Sequence, residues 1–132
     1  MTFVIDTSAW IEYFRGTVEG KKALPIIESS NSVTPTIVLA EMRKKFVEWG
    51  RQDFETVSNF IDQHSNVVEL DKATAILAGE IRATTNVQGI GLVDCILLAV
   101  SRTLGCKVLT NDSDFSTMPE AAYLKRGNFD GS

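Results

Sequence analysis

The chain has 132 residues, of which 44% are hydrophobic and 23% charged, enough for one domain with a real core and ordinary for a soluble globular protein. Its longest apolar stretch is far short of the roughly 20 residues that cross a bilayer. Met1-Thr2 leads straight into a strand-type run without a basic region or cleavage site, so a secretory leader is not expected and the cytoplasm is the default.

Taken in chain order, Phe3 to Asp6 carries β-branched and aromatic residues without alternation, the pattern of a strand buried on both faces. Ser8 is placed to cap a short helix bearing Trp10, Ile11 and Phe14, which Gly16 ends. Val18 to Ser30 reads as a second helix, with Pro25 expected to kink or break it. Val33-Thr34 is a short strand. Thr34 as N-cap and Pro35 as first helical residue then open a helix that runs to about Trp49 and closes at Gly50. Leu39, Met42, Phe46 and Trp49 give it an apolar stripe, read as core or protein interface.

A further helix, about Asp53 to His64, uses Phe54, Val57, Phe60 and Ile61. Val67 to Leu70 is a strand, and Asp71 caps a helix from Lys72 to about Thr85. Gly89-Ile90-Gly91 is too short and misplaced for a dinucleotide loop. Leu92 to Leu104, ended by Gly105, is apolar on nearly every face and predicts a central buried helix. Lys107 to Thr110 is a strand, Asn111 to Phe115 a loop, Ala122 to Leu124 an edge strand, and Arg126 to Ser132 a loose polar tail. Strands alternating with helices, without repeats or linkers, predict a single α/β domain over residues 1–132 around a mainly parallel sheet.

Four acids interrupt this pattern. Asp6 ends the first strand, Glu41 breaks the apolar opening of its helix, Asp94 lies in the most hydrophobic segment, and Asp112 follows the strand Val108-Leu109-Thr110. Unpaired carboxylates in apolar settings cost several kcal/mol each, so a common partner is expected, and a hard divalent cation suits oxygen ligands. In open parallel sheets ligands bind beyond the carboxyl ends of the strands, where Asp6 and Asp112 fall. Asp94 is in the first turn of its helix, where the helix dipole favours the ionised form. Together the four predict one or two Mg²⁺ or Mn²⁺ ions and metal-dependent phosphoryl chemistry.

Each acid also has a plain alternative. Asp6 would serve as an N-cap, Glu41 as a surface residue beside Arg43, Lys44 and Lys45, and Asp112 as a turn former; Asp94 has no comparable solvent-facing role. The net charge of −4 argues at first against a nucleic-acid partner, but without the four acids the chain carries as many acids as its 13 Lys and Arg. Cys95 and Cys106 lack metal-ligand spacing and read as buried free thiols in a reducing compartment, and the single His64 as a solvated helix-end residue.

The motifs Val4-Ile5-Asp6-Thr7-Ser8, Leu39-Ala40-Glu41, Leu92-Val93-Asp94-Cys95-Ile96-Leu97-Leu98-Ala99 and Gly105 to Phe115, in this order and over essentially the whole chain, resemble the PIN-domain ribonucleases. Among those they resemble the small VapC-like toxins of prokaryotic toxin–antitoxin modules. The resemblance implies a three-layer α/β/α fold and a Mg²⁺- or Mn²⁺-dependent endoribonuclease that leaves a 3′-hydroxyl and a 5′-phosphate. It assigns Asp6, Glu41, Asp94 and Asp112 as metal-binding catalytic acids, Thr7, Ser8 and Thr110 as hydroxyl supports, and Asp114 as an auxiliary acid. It further implies a homodimer and a small VapB-like antitoxin, for which Trp10, Ile11, Phe14, Phe46 and Trp49 are groove candidates. Arg15, Arg43, Lys44, Lys45, Arg82 and Arg102 are candidate phosphate contacts.

Other readings separate on sequence. A haloacid-dehalogenase-type phosphatase wants Asp-x-Asp, where this chain has Ser8 in the second position. A flap-endonuclease-like enzyme needs a longer chain, and a receiver domain needs an early acidic pair. A housekeeping PIN ribonuclease, or an inactive PIN-like RNA-binding or regulatory module, stays as the alternative within the family.

Overall fold

The computed structural model describes residues 2–126. Of the tail expected to be loose, residues 127–132 lie outside the described residues, while Arg126 is tied down, its guanidinium donating to the Ser116 carbonyl at 2.6 Å. Among the described residues five parallel strands, joined by six α-helices, form one sheet in the order β3-β2-β1-β4-β5. They are β1 (Phe3–Ile5), β2 (Ser32–Pro35), β3 (Asn66–Val68), β4 (Lys107–Thr110) and β5 (Ala121–Tyr123). Six α-helices connect them: α1 (Thr7–Arg15), α2 (Val18–Glu28), α3 (Thr36–Glu48), α4 (Phe54–His64), α5 (Lys72–Thr84) and α6 (Leu92–Leu104). A parallel sheet covered by helices explains the near-continuous apolar strands, since Phe3, Val4, Ile5, Val108 and Leu109 are all buried.

The chain moves from β1 outward through β2 and β3, then crosses to the other side of β1 for β4 and β5. The strand order therefore reverses between β1 and β4, and such a switch point opens a crevice at the carboxyl ends of the two strands. Helix α2 presses on α1 without room for a side chain at Gly20, where a Cβ would lie 2.0 Å from the Glu12 carbonyl oxygen.

Several expectations are revised. Pro25 does not break α2, which continues to Glu28. Thr34 does not cap α3: the register pairs Thr34 with Val67 and Pro35 with Val68, so β2 extends through Pro35 and the helix starts at Thr36. The Thr34 hydroxyl instead takes the Trp10 indole N–H at 3.1 Å. That bond comes with complete burial of Trp10, which is core and no part of a surface groove. Strands β3 and β5 each lie one residue earlier than expected at their starts. His64 is not a free solvated ring, because it stacks on Phe60 with centroids 3.9 Å apart. Cys95 and Cys106 are free thiols, and Cys95 is buried as expected, whereas Cys106 is only half-buried. Among the described residues no helix is long and apolar enough to cross a membrane.

Candidate active site

Ile5, the last residue of β1, pairs with Leu109, the penultimate residue of β4, which puts Asp6 beside Thr110 at the switch point. Asp6, not Ser8, is the N-cap of α1, its Oδ1 accepting from the Thr7 amide at 2.7 Å. Its Oδ2 accepts from Ser8 Oγ at 2.9 Å and from Thr110 Oγ1 at 2.8 Å. The capping role and the site role thus coexist in one carboxylate, which is only 4% exposed. Burial pushes its pKa up to about 6; the Thr110 and Ser8 hydroxyls pull it down, while Glu41 and Asp94 push it up further.

The expected hydroxyl supports are all engaged. Thr110 donates to Asp6 and accepts from the Asp112 amide at 3.0 Å, so it joins two of the acids. Ser8 donates to Asp6 and accepts from the Asn111 amide at 2.9 Å, tying α1 to the end of β4. Thr7 Oγ1 donates to Glu41 Oε1 at 2.8 Å, which turns the α3 carboxylate toward β1. Asp112 Oδ1 accepts from the Asp114 amide at 2.9 Å and starts a 3₁₀ turn over Ser113–Phe115. The turn-forming alternative for Asp112 is therefore also realised.

Asp94 is half-buried in the first turn of α6, where its Oδ2 accepts from the Gly91 amide at 3.2 Å. The helix is less uniformly apolar in its setting than expected: Leu92 is 56% exposed, and the buried block is Cys95 with Leu97 to Ser101. Burial lifts the Asp94 pKa to about 6 against the Gly91 amide, with Asp112, Glu41 and Asp114 adding repulsion.

All four predicted acids line one cleft of about 350 Å³. The grouping of the acids is finer than predicted. Oxygens of Asp94, Asp112 and Asp114 all lie within 4.8 Å of one another, so Asp114 belongs to the tightest trio, with Asp6 and Glu41 as the adjoining wall. The donor set offers only carboxylate oxygens, and the buried Asn111 Oδ1 at the same strand end has no protein partner among the described residues. Hard divalent cations fit such a set, and thiophilic or imidazole-preferring metals do not.

Glu12 also lines the cleft and was missed; its signal is helical spacing, four residues after Ser8. Of the candidate phosphate contacts, Arg15 and Lys45 line the cleft, whereas Lys44 pairs with Glu48 at 3.0 Å and Arg102 with Glu120 at 2.7 Å. Arg43 lies over the Phe54 ring, and Arg82 is exposed on α5 away from the cleft lining. Ile11, Phe14, Phe46 and Trp49 line a second groove of about 270 Å³ with Arg15 and Arg51.

A family model described as the PIN domain matches residues 3–121. Ribonuclease VapC11 of Mycobacterium tuberculosis is 24% identical over 133 aligned residues, covering 96% of this chain and 98% of that protein. Among solved structures, a toxin–antitoxin complex from Klebsiella pneumoniae superposes with a TM-score of 0.73 at 19% identity, covering 92% of this chain and 97% of that one. Mycobacterium tuberculosis VapC20, a Sarcin-Ricin loop cleaving toxin, gives 0.72 at 20% identity, covering 89% and 95%.

Proposed function

The chain belongs to the PIN domain family, and on that premise we propose that it is a divalent-metal-dependent endoribonuclease acting as the toxin of a toxin–antitoxin pair. The observation that carries this is the convergence of Asp6, Glu41, Asp94 and Asp112 in one cleft at the switch point of the sheet, with an Asp114 oxygen within 4.8 Å of those of Asp94 and Asp112. Relatives named as ribonucleases support RNA over other phosphodiesters. A structural neighbour described as a toxin–antitoxin complex, and a second described as a DNA-bound VapBC, support a small protein antitoxin as partner; the cytoplasm is the proposed place of action. The whole chain acts as one domain, and a homodimer is its assembly.

Asp94, Asp112 and Asp114 would hold the cation, Mg²⁺ or alternatively Mn²⁺, with Asp6 and Glu41 as the further acids of the site. When bound, the ion supplies Lewis-acid activation of water and charge stabilisation at the phosphorus. The protein supplies the positioning. Ser8 and Thr110 fix Asp6, Thr7 fixes Glu41, and Thr110 links Asp6 to the backbone of Asp112. The carboxylates themselves repel the phosphodiester, so substrate enters only against a neutralised cleft, with Arg15 and Lys45 at its rim. His64 does not line the cleft and takes no part as a base.

Purified protein is expected to cleave single-stranded RNA with Mg²⁺ or Mn²⁺, to stop on chelation with EDTA, and to lose at least about a hundred-fold in rate on Asp94→Asn with its thermal unfolding intact. Cleavage that persists in EDTA or in the Asn variant would sink the metal assignment.

A further inference from the structure

Beside the acid cleft the surface changes character within a few ångströms. Trp49 follows the last turn of α3 and lines both the cleft and the neighbouring apolar groove. It is 48% exposed, unlike Trp10, which is fully buried. Two cations attend its ring: Lys45 Nζ at 5.9 Å and Arg15 Cζ at 6.0 Å from the centroid. Neither of them forms an ion pair among the described residues, although both line a cleft walled by carboxylates. A half-exposed indole flanked by two cations outside any ion pair among the described residues, continuous with the proposed phosphodiester-cleaving site, has the charge and shape of a single-strand platform. Aromatic faces stack on bases, and flanking cations take phosphates.

We propose that Trp49, Arg15 and Lys45 form a nucleobase subsite, in which the indole stacks on a base next to the scissile phosphate and the two cations take the neighbouring phosphates. This rests on the nuclease reading above and adds to it how the strand is gripped. The subsite reads the π-face of a base, not its edges, so it selects for unpaired strand over duplex more than for sequence. The apolar groove lined by Ile11 and Phe14 would equally interest a partner helix. The cations at the ring favour the polyanion, and the test separates the two.

The two tryptophans make the test direct, since only Trp49 is open to a quencher. The probe is a short oligoadenylate, titrated into Asp94→Asn protein so that the strand stays uncut. Saturable quenching of tryptophan fluorescence is expected when Trp49 is present, and for every variant binding is read by the anisotropy of a dye on the oligonucleotide. Trp49→Phe should bind within about three-fold of the parent, while Trp49→Leu, which keeps apolar bulk without a π-face, should bind about ten-fold more weakly. An abasic residue at one position of the oligonucleotide should erase the difference between Phe and Leu. Arg15→Gln and Lys45→Gln should each flatten the salt dependence of binding.

If Leu binds RNA as well as Phe, or abasic residues are neutral at every position, the subsite is overturned. It is also overturned if Trp49→Leu loses only a protein partner. The nuclease reading fails separately: wild-type protein that quenches on RNA but does not cut it with Mg²⁺ keeps the subsite and loses the enzyme. Cleavage with an unchanged KM in Trp49→Leu does the reverse.

Discussion

Two hydroxyl networks lie inside this domain, one strand apart, and they do opposite things. On β2, Trp10 Nε1 donates to Thr34 Oγ1 at 3.1 Å, Thr34 and Ser65 hydroxyls share a bond of 2.7 Å, and Ser32 Oγ donates to Ser65 Oγ at 2.9 Å. Every member is neutral and buried. At the ends of β1 and β4, Ser8 and Thr110 use the same kind of hydroxyl to hold a carboxylate, Asp6, that remains buried among other acids. The first network satisfies polar groups and so favours folding. The second holds negative charge where folding alone would not place it, and that surplus is what a cation would take up.

The comparison is broken most sharply by removing one methyl-sized hydroxyl from each side. Thr110→Val strips a donor from Asp6 and an acceptor from the Asp112 amide. Cleavage is expected to fall about 10- to 100-fold, the usual cost of losing a group that orients metal-site acids. Thr34→Val should leave kcat and KM unchanged, since the β2 network does not line the cleft. A steady-state comparison of the two variants on one RNA decides it, and equal losses would mean that the networks are not distinct.

The next effect is on stability against pH. Asp6 and Asp94 have folded-state pKa values pushed up to about 6 from an ordinary 3.8, in both cases chiefly by burial. Between these values these two carboxyls bind more protons in the folded state than in the unfolded one, so their contribution to the stability of the metal-free protein falls as pH rises from about 4 to 6 and levels off above. For Asp6 this amounts to about 2–3 kcal/mol. Unfolding midpoints in EDTA across this range should show the fall, and Mg²⁺ should remove it by stabilising the ionised site. Thr110→Val takes away a hydrogen bond that lowers the Asp6 pKa, so its decline should extend to higher pH. Thr34→Val should give a parallel curve. A profile that rises through the same window would contradict the burial of Asp6 as a charge.

The parallel curve should nonetheless lie lower. Thr34→Val leaves the buried Trp10 N–H without its acceptor, a loss of about 1–3 kcal/mol measurable by urea unfolding at a single pH. A smaller change would mean that the β2 network is loosely held and that the two regions differ less than their geometry suggests.

What could be read from the chain follows the same division. Asp6 and Asp112 were legible because apolar strand runs end at them, and strand ends in a parallel sheet face one crevice. Asp94 was legible from its helix, though for a reason needing adjustment: its first turn stands at the cleft with Leu92 outside, so the carboxylate is half-buried. Asp114, an auxiliary acid in the resemblance, comes within 4.8 Å of Asp94 and Asp112 through the 3₁₀ turn that Asp112 caps, a local geometry that spacing does not encode. The Thr34-Pro35 start was misjudged because pairing with Val67 and Val68 outweighs a capping preference worth about 1 kcal/mol. Trp10 and Trp49 are indistinguishable in an apolar helical stripe, yet one is core and the other rim; that depends on which helix faces the sheet.

The smallest expected effect tests the acid region from its outer side. Gly89 has φ +82, and a Cβ there would lie 2.7 Å from Asp114 Oδ1. Gly89→Ala should cost about 1 kcal/mol in unfolding free energy from the left-handed backbone alone. The contact itself is soft, because the atom it meets is the end of a side chain that can swing away. That swing has a specific consequence: it moves an oxygen out of the trio with Asp94 and Asp112, so Mg²⁺ affinity should weaken measurably in calorimetric titration. Gly105→Ala is the matched control, since its backbone is also left-handed at φ +66 and a Cβ there meets nothing within 4 Å. If Gly89→Ala lowers stability but leaves Mg²⁺ affinity at the Gly105→Ala level, then Asp114 is a neighbour of the cation and not one of its ligands. The site would then return to the four acids that the sequence marked.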